Sequence, residues 1–177
     1  MKKIIIISLK LSLWLIFGCS KLINEETLID KDGLKYHSDT KELFSGKVYS
    51  NHMGGNKWVE HTYKDGKEDG LFTEWYENGQ MSYEGIYKDG ELDGLHIEWY
   101  DNGQKLAIRT YKDGKLDGLI TKWYENGQKE GEVTYKDGEI ISVKRWNEDG
   151  SVKEWLNEKT PSIIICIIFD FLGLWKV

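Results

Sequence analysis

The feature that most constrains this chain is a period of 24 residues. Tyr63, Tyr87, Tyr111 and Tyr135 stand 24 apart, as do Trp75, Trp99 and Trp123, and as do Gly46, Gly70, Gly94 and Gly118. Gly66, Gly90, Gly114 and Gly138 each close a copy of Lys-Asp-Gly. A fixed period between about 20 and 50 residues marks an architecture of stacked units.

Each unit has two halves. One reads Gly70-Leu-Phe-Thr-Glu-Trp-Tyr76 and ends in Glu77-Asn78-Gly79-Gln80; the other reads Met81-Ser-Tyr-Glu-Gly-Ile-Tyr87 and ends in Lys88-Asp89-Gly90. Asn-Gly and Asp-Gly between alternating segments are strong hairpin signals, because a type I′ turn needs positive φ at both central residues. The turns expected on this basis are Asn78-Gly79, Asn102-Gly103 and Asn126-Gly127, alternating with the Asp-Gly pairs. The intervening segments, rich in Trp, Tyr, Thr, Ile and Leu, have strand length and composition. Leu71, Thr73 and Trp75 fall on one face, and Phe72, Glu74 and Tyr76 on the other. The chain is therefore expected to be all-β: tandem β-hairpins forming an elongated antiparallel single-layer meander. Repeated rings are expected to stack into ladders of Trp and of Tyr. Gly85, Ala107 and Gly131 read as one small-residue position where a neighbouring ring lies over bare backbone.

These residues, Gly70…Trp75-Tyr76-Glu77-Asn78-Gly79-Gln80…Tyr87-Lys88-Asp89-Gly90…Gly94 and their downstream copies, resemble MORN-type repeats. They are closest to the shortened bacterial variant of the YwqK-type antitoxin family, and Phe44-Ser45-Gly46-Lys47-Val48-Tyr49 looks like that family's leading unit. The resemblance covers roughly residues 30 to 155, and the repeat domain is set at residues 34–155. It implies a non-enzymatic interaction protein and, more sharply, an antitoxin or immunity-like binder of a toxin.

Outside the repeats, Met1-Lys2-Lys3 and the apolar run to Phe17 read as an export signal over residues 1–18. Gly18-Cys19-Ser20 resembles a bacterial lipobox, which implies lipidation at Cys19 and a protein held at the cell envelope. Two or more acyl chains anchor stably where one does not. Residues 19–33 read as a polar tether. After Pro161 an apolar tail abandons the pattern, and residues 156–177 are set apart on that ground; the tail is too short for a spanning helix of about 20 residues.

The net charge is −6, and the leader holds three lysines, so the body is more acidic still. That disfavours nucleic acid, whose phosphates are neutralised by Lys and Arg. His37, His52, His61 and His96 lack metal-site spacing, and no P-loop, nucleophile elbow, kinase or calcium-loop motif occurs. No enzyme, cofactor or metal is expected. The candidate interaction surface is the repeated pair Trp75-Tyr76, Trp99-Tyr100 and Trp123-Tyr124, with another protein, a toxin or an envelope component, as partner. The alternatives are a cell-wall carbohydrate- or choline-binding module, in which aromatic cages hold quaternary ammonium groups, and a structural spacer.

Overall fold

The computed structural model describes residues 22–157. The expected leader, Cys19 and the apolar run from Ser162 lie outside the described residues.

Sixteen strands run in order: β1 Ile23–Asn24, β2 Leu28–Lys31, β3 Leu34–His37, β4 Gly46–Asn51, β5 Lys57–Lys64, β6 Lys67–Glu68, β7 Gly70–Trp75, β8 Met81–Lys88, β9 Glu91–Leu92, β10 Gly94–Trp99, β11 Lys105–Lys112, β12 Lys115–Leu116, β13 Gly118–Trp123, β14 Lys129–Lys136, β15 Glu139–Trp146 and β16 Val152–Asn157. From β4 onward each long strand pairs antiparallel with the next, giving one open meander. The expected all-β stack of hairpins is therefore what the chain adopts. No α-helix occurs among the described residues.

The Asp-Gly turns match the expected type. Asp65, Asp89, Asp113 and Asp137 all have φ near +50°, and each following glycine is also positive. The Asn-Gly turns do not. Only the glycines, Gly79, Gly103 and Gly127, have positive φ, at 82° each. Tyr76 N–H donates to the Gln80 carbonyl, and Gly79 N–H donates to the Tyr76 carbonyl. This is a three-residue loop, a type I turn closed by a glycine bulge. Asn78 is freed from the turn's φ requirement, and its carboxamide oxygen instead accepts from Gln80 N–H at 2.9 Å.

Each unit also contains a step. Strand β8 pairs first with β9, Lys88 to Glu91 and Tyr87 to Leu92. It then pairs with β10 at Glu84–Ile97 and Tyr83–Glu98. Asp93 and Gly94 are the two residues that make up the shift, and Gly94 takes φ 102°. A two-residue shift keeps the alternation of faces intact, since side chains alternate with period two. The closing unit lacks this step. There β15 runs unbroken from Glu139 to Trp146 with a bulge at Thr134/Tyr135. That explains why Trp123 and Trp146 are 23 apart rather than 24.

The leading segment departs from the tether expected over 19–33. Ile23–Asn24 pairs in parallel with Val48–Tyr49 at the sheet edge. A 3₁₀ turn, Glu25–Thr27, follows, with Asn24 as its cap. Strands β2 and β3 form a separate hairpin. It is tied to the sheet where Lys35 N–H donates to the Gly66 carbonyl. Apolar Ile23 and Leu28 pack against the buried cluster Phe44, Val48 and Tyr63. They cover what would otherwise be an open first unit, as terminal units of a stack require. At the far end Ile120, Val133, Tyr135 and Val143 form a second cluster.

Both clusters lie on one face of the sheet. That face carries Val48, Phe72, His96 and Ile120 at one repeat position, opposite His61, Gly85, Arg109 and Val133. Gly85 thus shares a position with Arg109 and Val133; Ala107 and Gly131 instead share that of Tyr83. A ring does lie over Gly85: a Cβ there would stand 2.6 Å from the His96 imidazole. The expected ladders of like rings are replaced by contacts between unlike ones. Equivalent positions are two strands apart, about 10 Å, beyond ring contact. The rings that meet are on adjacent strands: His61–Phe72 at 4.5 Å, Phe72–Tyr83 at 5.2 Å, Tyr83–His96 at 5.5 Å and His96–Tyr111 at 4.8 Å.

Candidate interaction surface

The expected surface residues Trp75, Tyr76, Trp99, Tyr100, Trp123 and Tyr124 are all half-buried at the Asn-Gly rim. The tyrosines have a specific task there. Tyr76 donates its hydroxyl hydrogen to the Trp99 carbonyl at 2.6 Å, Tyr100 to that of Trp123 at 2.8 Å, and Tyr124 to that of Trp146 at 3.0 Å. Burial pushes all three phenols up, with nearby carboxylates adding to the rise, so they remain neutral donors. Asn78, Asn102 and Asn126 donate from Nδ2 to the carbonyls of Asp101, Glu125 and Glu148. Each loop is thereby fastened to the next. The structure thus assigns Tyr76, Tyr100 and Tyr124 to holding the stack.

His52 belongs to the same set, and sequence reading passed over it. Its Nε2 meets the Trp75 carbonyl at 2.8 Å, which is the tyrosine's bond made by imidazole. The signal was available, since His52 precedes Tyr76 by one period. Asn56 likewise donates to the Glu77 carbonyl, one loop earlier than the rest.

Two tryptophans, Trp75 and Trp146, have lysine ammonium groups over their rings. Lys57 Nζ stands 5.0 Å from the Trp75 ring centroid, and Lys144 Nζ 4.7 Å from that of Trp146. Such contacts at half-exposed sites contribute about 0.5–1 kcal/mol each.

What differs from unit to unit is the face bearing the aromatic contacts. The repeat position of Glu74 holds Ser50, Glu74, Glu98 and Lys122. Glu98 is ion-paired with Arg109, and Lys122 with Glu130 at 3.0 Å. His96, between Tyr83 and Tyr111, is 1 % exposed. Its Nε2 faces the Ile86 carbonyl, which can only accept, so Nε2 carries the proton and Nδ1 accepts from the Tyr83 hydroxyl. Burial holds its pKa below the ordinary value. At the leading end Lys35 bridges Glu25 at 2.9 Å and Asp30 at 3.3 Å, and His61 pairs with Glu68 at 2.8 Å.

Glu74 has neither hydrogen bond nor ion pair among the described residues. Burial pushes its carboxyl above the usual range, against the opposing pull of His61. It lines a groove of about 460 Å³ together with Trp58, Tyr76, Tyr83, Glu98 and Leu106. Sequence reading named neither Trp58 nor Glu74 as a site: Trp58 is unrepeated, and Glu74 looks the same in sequence as Glu98 one period on. Among the described residues no group of three or more His, Cys, Asp or Glu side chains is arranged to hold a metal ion.

A family profile described as the MORN repeat variant matches residues 68–89, 92–113 and 116–137. No curated protein matches the chain. The three matched stretches follow the structural period, each running from a two-residue strand through its hairpin to the next Asp-Gly turn. With this match laid over the hairpin stack, residues 68–137 form repeats of the MORN variant type.

Proposed function

We propose that this is a non-enzymatic interaction repeat protein whose unrepeated sheet face binds another protein. One observation carries the reading. Repeated residues are consumed in fastening unit to unit, whereas the residues facing one another across Phe72, His96 and Ile120 change character in every unit. A scaffold alone has no need of that variation; a surface matched to one partner does. The partner is a toxin neutralised by binding, or an envelope component, in keeping with the resemblance to the YwqK-type antitoxin variant. Lipidation at Cys19 after export places the protein on the membrane of a bacterial envelope.

Affinity capture of the full-length protein from the cells that make it, followed by partner identification, tests the binding. A stoichiometric protein partner that dissociates when residues on the face of Phe72, His96 and Ile120 are changed is the expected result. Failure to retain any protein would count against it. The anchor is tested separately: Cys19→Ala should move the protein from the membrane fraction to the soluble one.

A further inference from the structure

Glu98 and Glu74 occupy the same repeat position, and the sheet treats them differently. Glu98 lies opposite Ala107, and Arg109, two residues along on the same face, supplies its counter-charge. Glu74 lies opposite Tyr83, and the residue two along is Gly85. No arginine can be built there without displacing the His96 ring, which sits within 2.6 Å of a Cβ at Gly85. The fold thus withholds from Glu74 the cation it gives Glu98. Around Glu74 it places aromatic walls instead. Tyr83 stands across the strand pair, and Tyr76 and Trp58 line the same groove. Trp58 is 48 % exposed, with its ring 5.9 Å from that of His52. A half-buried carboxylate beside aromatic faces is complementary to a cation that is weakly hydrated and flat, because ring faces and carboxylate attract the same charge.

We propose that this groove receives an arginine side chain of a protein partner, with Glu74 as its counter-ion and Trp58 and Tyr83 as its walls. This rests on the interaction reading above and adds the chemistry of the contact. A guanidinium fits better than an ammonium, since it can pair with Glu74 while stacking on a ring.

The test is titration of the full-length chain with the blocked peptide Ac-Gly-Gly-Arg-Gly-Gly-NH₂, followed by tryptophan fluorescence. The Glu-centred analogue and tetramethylammonium chloride serve as comparison ligands. Saturable binding of the arginine peptide is expected, weakened by about tenfold in Glu74→Gln and in Trp58→Ala, and weakened by salt. Both variants should keep the wild-type circular dichroism spectrum; Tyr83→Phe, which keeps the ring, should bind nearly as well as wild type. Equal binding of the Glu peptide, or arginine binding indifferent to both variants, would overturn the proposal. Tetramethylammonium binding without arginine binding would overturn it in favour of a small quaternary ammonium ligand. The partner capture described above remains separate. A partner retained equally by wild type and Glu74→Gln sinks the groove and leaves the interaction reading standing. Capture of no partner sinks the latter alone, because the peptide titration is decided without it.

Discussion

The two rims of the sheet look alike in sequence and are built on different chemistry. Each is a row of glycine-closed turns at the same period. At the Asp-Gly rim two consecutive residues adopt positive φ, and the link to the neighbouring turn is made by backbone: Gly66 N–H donates to the Phe44 carbonyl, Gly90 to that of Glu68 and Gly114 to that of Leu92. At the Asn-Gly rim only the glycine is positive, and the links are made by side chains, Tyr hydroxyl and Asn carboxamide. The first rim asks for residues that tolerate a conformation. The second asks for residues that carry a particular donor. The same dipeptide signal therefore serves conformation on one side and recognition of the next unit on the other.

Substitutions can separate these demands. The largest effects should come from Gly103→Val and Gly79→Val. Gly103 has φ +82°, a region that a β-branched residue enters at a cost of about 1–3 kcal/mol, read by urea unfolding. A Cβ there would stand 2.8 Å from Gln80 Oε1, but that atom ends an exposed side chain, which swings aside at little cost. Gly79 has the same φ with nothing within 4 Å of its Cβ position, so Gly79→Val should cost about as much. A much larger loss at Gly103 would show that contact between loops adds to the strain. Next comes Asn78→Asp, an isosteric change that keeps the acceptor for Gln80 N–H and removes the donor to the Asp101 carbonyl. It should cost about 1–2 kcal/mol, because a carboxylate then faces a carbonyl oxygen.

Tyr100→Phe removes the hydroxyl that bonds the Trp123 carbonyl and leaves the ring in place, for about 1 kcal/mol. It also has a signature in pH. Burial, with Glu130 and Glu125, raises the folded-state pKa of Tyr100 above the ordinary tyrosine value of about 10. A raised pKa means the fold favours the protonated phenol. Its contribution is whole below about pH 10 and is lost as pH climbs through the folded-state value. Wild-type stability should accordingly fall above pH 10, and Tyr100→Phe should fall less steeply. Parallel curves would place the alkaline sensitivity on other phenols.

The hairpin stack was legible in the sequence because turn chemistry and alternation repeat together, and three units vote on every position. The site was only half legible. Trp75, Tyr76 and their copies stand out by repetition, yet the tyrosines bind their own chain, and repetition is what a stacking contact demands. Trp58 was invisible for the opposite reason, being unrepeated, and Glu74 because in sequence it matches Glu98 one period on. The difference between Glu74 and Glu98 depends on the residue two places along the partner strand, which requires the register. The order of residues 23–37 was hidden because Ile23 and Leu28 act as a cover for Phe44 and Val48, a relation between segments with no shared pattern.

The smallest effect is the most direct check on the rims, because it runs the Asn78 change in reverse. Asp89→Asn swaps the same two side chains at the opposite rim. Asp89 has φ 53° and is exposed, and its backbone N–H donates to the Asp69 carboxylate at 3.3 Å. None of those features requires the aspartate's charge. Asparagine is at home at this φ, and neutralising position 89 relieves repulsion with Asp69 in a chain of net charge −6. Stability should stay within about 0.5 kcal/mol of wild type, on the favourable side. If conformation alone rules this rim, Asp89→Asn and Asp113→Asn will both be silent or mildly stabilising while Asn78→Asp is not. A loss at position 89 matching that at position 78 would show the two rims to be chemically equivalent after all, with the aspartate making a contact that the tyrosines and asparagines make on the other side.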